Sequence, residues 1–159
     1  MVAQSTSKSV TPGWKPYDLD YYAQELVLEF RNTKDVLNES HKMRMTVAYG
    51  LERFWGEHLR LEREKSEKAK YWKAVWKKLA RILGDAGMQD FPDDEIKSNN
   101  PDKDKRKKEE TQNIREMSRK IWSMSLEDQR VALMVLTQFC DSLVWWTQRY
   151  KTKGDKDHD

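Results

Sequence analysis

The sequence predicts an all-α protein, an antiparallel bundle of four to five helices with a polar central linker. Apolar residues recur at alternating spacings of three and four over three long segments, which is typical of amphipathic helices. Only six Gly and four Pro occur in 159 residues, which argues against a turn-rich β-sandwich. Seven Trp, six Tyr and four Phe are too much aromatic surface to leave in water, which argues against a disordered chain.

The length predicts one domain, because chains of about 150 residues commonly form a single core. Hydrophobic residues make up 37% of the chain and charged residues 36%, so the core is thin relative to the surface. We expect a flexible arm over residues 1–17, a single helical domain over 18–150 with a linker at about 88–100, and a disordered tail over 151–159.

The first helix is expected to begin near Asp18, whose carboxylate can cap the free N–H groups of the first turn. Tyr22, Leu26 and Phe30 lie four residues apart and predict its apolar face. The Asn-Thr pair at 32–33 is a plausible break before the next helix.

A heptad-like stripe of about 36 residues follows. Lys65 and Lys68 interrupt the stripe, and Ser66 can cap a second helix there. The pattern therefore fits either two helices or one long helix with a polar segment in its middle. Gly84 and Gly87 are expected to end it, because Gly adopts the left-handed conformation at little cost. The stripe consists of Val47, Leu51, Phe54, His58, Leu61, Lys65, Lys68, Trp72, Val75, Leu79 and Ile82.

The linker region is strongly polar, with Asp93, Asp94 and Glu95 followed by SNNPDKDKRKKEE. We expect no core contribution from it, and we expect residues 88–100 to be the fastest internal site of limited proteolysis. Asn100 and Pro101 resemble an N-cap and first-turn pair, so a helix is predicted to begin near 101.

That helix is predicted to run to the next cap, where Ser125 with Asp128 forms a modified capping box that opens the last helix. The apolar positions are Ile114, Met117, Ile121 and Met124 in the first of these helices, and Ala132, Leu136, Phe139, Leu143, Trp146 and Tyr150 in the second.

No pattern in the sequence indicates catalysis or a cofactor. A phosphate loop, a dinucleotide fingerprint and a Gly-x-Ser-x-Gly elbow are all missing from the sequence. His41, His58 and His158 lack metal-ligand spacing, and His58 is expected to be a core or interface histidine. Cys140 lacks a cationic setting and is expected to be a buried, unreactive thiol. We therefore expect a non-enzymatic protein with no catalytic residue, no metal and no other cofactor.

The expected location is the cytoplasm, without a membrane. One Cys cannot form an internal disulfide, which favours a reducing compartment. No apolar run approaches the roughly 18–20 residues that a membrane span needs, and the N-terminus lacks the apolar segment of a secretory signal.

Basic and aromatic residues are the sequence feature that indicates a binding function. Residues 60–81 contain nine Lys and Arg but only three Glu. Their spacing places several of these cations on one helical face, opposite Trp72, Val75 and Leu79. Tyr71 and Trp76 flank that face and can stack on bases. The candidate phosphate-binding residues of this stripe are Arg63, Lys70, Lys73, Lys77 and Arg81.

A second basic group follows after the linker. It includes Lys103, Lys105 and Arg106, and its candidate phosphate-binding residues are Lys107, Lys108, Arg115 and Arg119. The net charge of +3 permits a nucleic-acid partner without requiring one.

Two functions from different classes fit these patterns. In the first, the protein contacts the backbone of RNA or single-stranded DNA within a ribonucleoprotein. Replacing Lys70, Lys73, Lys77 and Arg81 by Gln would then flatten the salt dependence of binding by roughly two to three units. In the second, it is a helical adaptor whose heptad stripes bind protein partners and whose charges only solubilise it.

The segment SMSLEDQRVALMVLTQF, residues 123–139, resembles a pattern in the small all-helical subunit of multi-subunit, type III CRISPR effector complexes. The resemblance rests on Ser125, Gln129 and Arg130, and on a small, basic, Trp-containing helical chain with a polar linker. It implies a non-catalytic filament subunit in an antiviral complex, assembled with other protein subunits and further copies of itself. It also implies that Arg130 contacts the backbone of guide RNA and target strand.

Overall fold

A computed structural model describes residues 16–154 of the chain. Most of the predicted arm (1–17) and the end of the predicted tail (155–159) therefore lie outside the described residues. The first helix begins at Pro16, two residues before the predicted start. Proline suits a first-turn position, because its fixed φ is helical and its missing N–H would have no partner there.

The described residues form six α-helices and contain no β-strand, which confirms the all-α fold class. The count exceeds the predicted four to five, because the sequence pattern gave no sign of α2. Its buried residues are Glu39, Ser40 and Met43, two of them polar, so it carries no apolar stripe. The helices are α1 (Pro16–Phe30), α2 (Glu39–Thr46), α3 (Leu51–Arg63), α4 (Lys68–Asp85), α5 (Lys103–Ser123) and α6 (Leu126–Tyr150), with a 3-10 turn (Val47–Tyr49) between α2 and α3.

The heptad-like stripe of residues 47–82 lies on two helices, α3 and α4, and not on one long helix. Lys65 takes a left-handed φ of 56° in the break, and the Ser66 hydroxyl accepts a hydrogen bond from the Lys68 N–H at 3.2 Å. The chain reverses there, and α3 packs antiparallel to α4, with the rings of Phe54 and Trp72 4.9 Å apart. Every apolar member of the stripe is buried.

The end of α4 is set by Gly87 alone, not by both glycines. Gly87 has φ +106°, and its N–H donates to the Gly84 carbonyl at 3.0 Å while the Met88 N–H donates to the Leu83 carbonyl at 2.8 Å. This pair of bonds is a Schellman motif. Gly84 lies inside the helix and does not end it.

The most extensive helix pair, α1 with α6, runs parallel. Trp146 donates to Asp20 at 2.8 Å, and one turn later on both helices Gln24 donates to Tyr150 at 2.8 Å. By contrast α2 runs antiparallel to α6, since Ser40 contacts Thr147 and Arg44 contacts Asp141. Contacts between α1 and α4 are also antiparallel. Two neighbouring helices of the bundle therefore share a direction, so the predicted antiparallel arrangement is wrong for this pair.

The connection between α4 and α5 is docked on the helices, contrary to the expectation that it contributes nothing to the core. Phe91, Pro92 and Ile96 are buried. The Trp76 indole donates to the Pro92 carbonyl at 2.9 Å, and the Asn113 amide donates to the Ile96 carbonyl at 2.9 Å. One apolar residue on each side of the acidic triplet is enough to hold the segment. The side chains of Asp94 and Glu95 remain exposed, and that of Asp93 is partly buried.

The caps of the last two helices agree only in part with the predicted ones. The N-cap of α5 is Asp102, whose carboxylate accepts from the N–H groups of Asp104 and Lys105, so the predicted Asn100–Pro101 start is wrong by two residues. Asn100 instead accepts from the Asp102 N–H in the preceding turn, at 3.0 Å. Ser125 caps α6 as predicted, accepting from the Asp128 N–H at 3.0 Å.

Candidate nucleic-acid interface

The basic stripe of α4 is largely neutralised by neighbouring carboxylates. Lys70 lies 2.8 Å from Glu67. Lys73 lies 3.4 Å from Glu62 and 3.5 Å from Glu95. Lys77 lies 3.6 Å from Asp93. Arg63 does not extend this stripe as predicted, because it ends α3 before the chain reverses. Arg63 and Arg81 are exposed and make no ion pair within the described residues.

Two of the four neutralising carboxylates, those of Asp93 and Glu95, come from the docked connection. Burial raises the pKa of Asp93, and Lys77 opposes that shift only in part. Burial also acts on Glu95, but Lys73 and two backbone N–H groups outweigh it and lower the pKa of this carboxyl. Since both acids are carried to α4 by Phe91 and Ile96, the pairing depends on a tertiary contact.

The aromatic residues beside this stripe are core residues, which corrects the prediction that they can stack on bases. Tyr71 and Trp76 are buried. The Tyr71 hydroxyl lies 2.7 Å from the Ser40 hydroxyl, and the Trp76 ring packs on Phe91 with centroids 4.8 Å apart. No surface of either ring is free for a ligand.

The outer face of α5 carries the second basic group. Lys108, Arg115, Arg119 and Trp122 fall on one side of this helix and span about 21 Å along its axis. All four side chains are exposed. Lys108 and Arg115 make no ion pair within the described residues, and neither does Lys107 on the edge of the same face. Arg119 lies 2.8 Å from Glu116.

The inner face of α5 explains why its outer face is free. Met117 and Ile121 are its only buried residues in the described structure. Arg106 donates to the Asn100 carbonyl at 3.4 Å, and Lys120 pairs with Asp94 in the docked connection. Ser118 donates to Glu52 of α3 at 2.9 Å. These contacts hold one side of α5 against the rest of the bundle. The cations of the outer face therefore point to solvent.

An apolar patch adjoins this cationic face where α5 ends, and the sequence analysis did not find it. Trp122 is 72% exposed, Tyr49 66% and Leu126 63%. A pocket of about 170 Å³ opens between Tyr49 and Trp122, and its lining consists of Tyr49, Gly50, Leu51, Glu52, Ile121, Trp122, Gln129 and Leu133. A signal was present, because Trp122 falls on the polar side of a helix whose apolar positions are Met117, Ile121 and Met124.

Arg130 lies on α6 beside this pocket. It is exposed and makes no ion pair within the described part of the chain. Its neighbour Gln129 donates to the Met124 carbonyl at 2.9 Å, which ties the end of α5 to the start of α6.

His58 and Cys140 are both buried, as the sequence predicts. His58 is buried, its Nδ1 bonds to the Trp55 carbonyl, and burial lowers its pKa. Cys140 is buried in α6, and burial raises the pKa of its thiol.

The described residues contain no group of three His, Cys, Asp or Glu able to hold a metal. None of the helices from 16 to 154 has the length and apolarity needed to cross a bilayer.

Comparison of the chain with protein-family models, curated proteins and solved structures finds no match.

Proposed function

We propose that this protein is a non-catalytic helical subunit that contacts the backbone of RNA or single-stranded DNA within a ribonucleoprotein assembly. One observation carries the proposal: the outer face of α5 holds a row of exposed cations, of which Lys107, Lys108 and Arg115 make no ion pair within the described residues. The row ends beside an exposed tryptophan.

Phosphate binding is favoured where positive charge is left unpaired. A Lys or Arg binds a phosphate and releases a counterion from the nucleic acid. A lysine that already lies beside a carboxylate must give up that pair first. Lys73 and Lys77 on α4 are in this position, so α5 is the better phosphate-binding surface. Contacts of this kind position a strand without reading its sequence.

The assembly is proposed on the resemblance of residues 123–139 to the small subunit of CRISPR effector complexes. In such an assembly the partners are other protein subunits, further copies of this chain and the nucleic acid itself, in the cytoplasm. Arg130, exposed on α6 near the end of the α5 row, is its matched position.

The test is a salt titration of binding to a fluorescently labelled single-stranded RNA, followed by anisotropy. Replacing Lys107, Lys108 and Arg115 by Gln should weaken binding to every sequence. It should also lower the slope of log affinity against log salt by about 2, because each phosphate contact on a single strand contributes about 0.7.

The matched control removes the same charge from α4. Replacing Lys70, Lys73 and Lys77 by Gln should leave the salt slope nearly unchanged, since those lysines are paired. A slope that falls in the α4 variant but not in the α5 variant would move the site to α4. Binding that responds to neither variant would refute the proposal.

A second function, a helical adaptor for a protein partner, is favoured by a different surface. Tyr21 and Leu28 lie seven residues apart on α1, 57% and 43% exposed, and belong to the same helix face. Most residues of the heptad stripes are buried, so the stripes offer little surface to a partner. An adaptor would bind its partner with little salt dependence, and Leu28→Asp would abolish that binding without affecting RNA.

A further inference from the structure

The pocket beside Trp122 has the dimensions and the lining of a site for one flat ring. Its volume is about 170 Å³, and a cavity of about 150 Å³ is enough to hold benzene. Leu51 and Leu133 supply apolar walls, and the largely exposed rings of Tyr49 and Trp122 belong to the same lining.

Two polar side chains in the lining are held in place and keep a free acceptor. Glu52 accepts from the Ser118 hydroxyl through one carboxylate oxygen. Gln129 donates through its amide nitrogen to the Met124 carbonyl. The second Glu52 oxygen and the Gln129 amide oxygen have no hydrogen-bond partner within the described residues. The pocket therefore offers acceptors, and it favours a ring that carries donors.

Cations border the pocket. Arg130 follows Gln129 directly, and Arg119, which pairs with Glu116, precedes Trp122 by one turn. Arg53 lies over the Tyr49 ring, 5.6 Å from its centroid. Glu52 is the only carboxylate of the lining. A ligand with a ring in the pocket would thus meet cations on its outer side, which is the pattern that a nucleotide with its phosphate requires.

Resting on the function proposed above, we infer that this pocket receives one unstacked base of a single strand whose phosphates follow the α5 row. Aromatic platforms beside a cationic track are the usual way in which proteins bind single strands. The two free acceptors favour bases with an exocyclic amino group, which carries two N–H donors, as in adenine, cytosine and guanine, over uracil, which has only its N3–H. An acidic protein segment fits less well, because the row of cations extends over about 21 Å from the pocket.

The experiment compares three labelled probes about twelve nucleotides long: oligoadenylate, oligouridylate, and an abasic sugar-phosphate strand of the same charge. With the parent protein, oligoadenylate should bind about twofold to tenfold more tightly than oligouridylate, because the adenine amino group can donate to both free acceptors whereas uracil has one N–H donor. The abasic strand should bind more weakly than either and show the same salt slope.

Trp122→Ala is the decisive variant. It should weaken oligoadenylate binding by about fivefold to 150-fold, the range for losing one stacked base. Binding of the abasic strand should not change, and Trp122→Phe should restore most of the loss. Trp145→Ala is the matched control, since Trp145 is also exposed but lies on the last turns of α6. It should bind all three probes like the parent.

The outcomes separate this inference from the proposed function. If the abasic strand binds as tightly as oligoadenylate, the base site is wrong while the phosphate row stands. If no probe binds even at low salt, both fail. If Trp122→Ala leaves oligoadenylate binding intact but dissociates a self-associated form of the protein in sedimentation, the patch is a protein interface and the inference is overturned.

Discussion

Helices α4 and α5 look alike in sequence and differ in the folded protein. Both are basic, and both carry cations spaced three and four apart. Yet α4 buries eight residues and most of its lysines lie beside carboxylates, whereas α5 buries two and turns unpaired cations outward. The comparison teaches that a count of Lys and Arg along a helix does not locate a phosphate-binding face. What matters is where the acids of other segments lie.

The physical cause of the difference is the connection between the two helices. Phe91 and Ile96 anchor it against the body, and the acidic triplet between them lies over α4. Lys73 and Lys77 pair with that triplet. On α5 only Lys120, on the inner side, meets the same triplet. The acids thus lower the positive potential of α4 and leave the outer face of α5 unaffected.

The largest expected effect is a difference in stability between two tryptophans, one on each helix. Trp72 of α4 is buried, and its indole donates to the Glu39 carboxylate at 3.0 Å. Trp72→Ala should lower the free energy of unfolding by about 5 kcal/mol, because it creates a cavity and removes a partner of a buried carboxylate. Urea denaturation monitored by circular dichroism measures it.

Trp122→Ala is the control for this comparison. Since Trp122 is exposed, its loss should change the free energy of unfolding by no more than about 0.5 kcal/mol. Equal destabilisation by the two substitutions would mean that α5 is as deeply packed as α4, which would remove the basis for treating its outer face as a free surface.

A smaller effect is expected from Phe91, which joins the two regions. Its ring packs on Trp76, and Phe91→Ala should cost about 3 kcal/mol. It should also release the connection, so that residues 88–100 become the first internal site of limited proteolysis. In the parent protein the same segment should resist cleavage, because its backbone is held by Trp76 and Asn113. Rapid cleavage of the parent there would show that the segment is not docked.

The smallest expected effect is a pH dependence at His58, which lies beneath the α4 ion pairs. Burial lowers its pKa, while Glu62 and Glu95 oppose that shift and Lys73 supports it. Below about pH 6.5, the ordinary value, the unfolded chain binds a proton that the folded chain resists. Stability from this group is therefore fully present above that pH and is lost as the pH falls toward the lower folded-state pKa.

The slope from one such group cannot exceed about 1.4 kcal/mol per pH unit. Urea denaturation of the parent protein and of His58→Gln between about pH 5 and 8 measures it. The parent should lose stability toward acid pH more steeply than the variant. Parallel curves for the two proteins would show that His58 does not titrate differently in the folded and unfolded states.

Local patterns in the sequence were sufficient to predict the helices and most of the core. The three-four spacing identified the buried side of α3, α4 and α6, and Ser125 identified the start of α6. These features depend on residues within one or two turns of each other, so periodicity and capping chemistry are enough to find them. The same local reasoning failed for α2, because its buried Glu39 and Ser40 look like surface residues in a sequence.

The candidate site could be predicted only in part, for a related reason. The basic residues of α5 were identified as candidates, but so were those of α4, and nothing local distinguished the two groups. The basic stripe predicts that Tyr71 and Trp76 are exposed, although their spacing is equally consistent with burial, and both are buried. Trp122, which is exposed, is not among the predicted residues.

The sequence by itself determined that this protein is helical, where its long helices run and which residues carry its positive charge. Helix formation and amphipathic spacing are properties of consecutive residues, and they do not depend on the rest of the chain. Tertiary contacts determine which charges remain unpaired and which aromatic rings are exposed. They also make α1 and α6 run parallel. Those features depend on contacts between residues far apart in the chain, because a carboxylate neutralises the lysine that it meets in space.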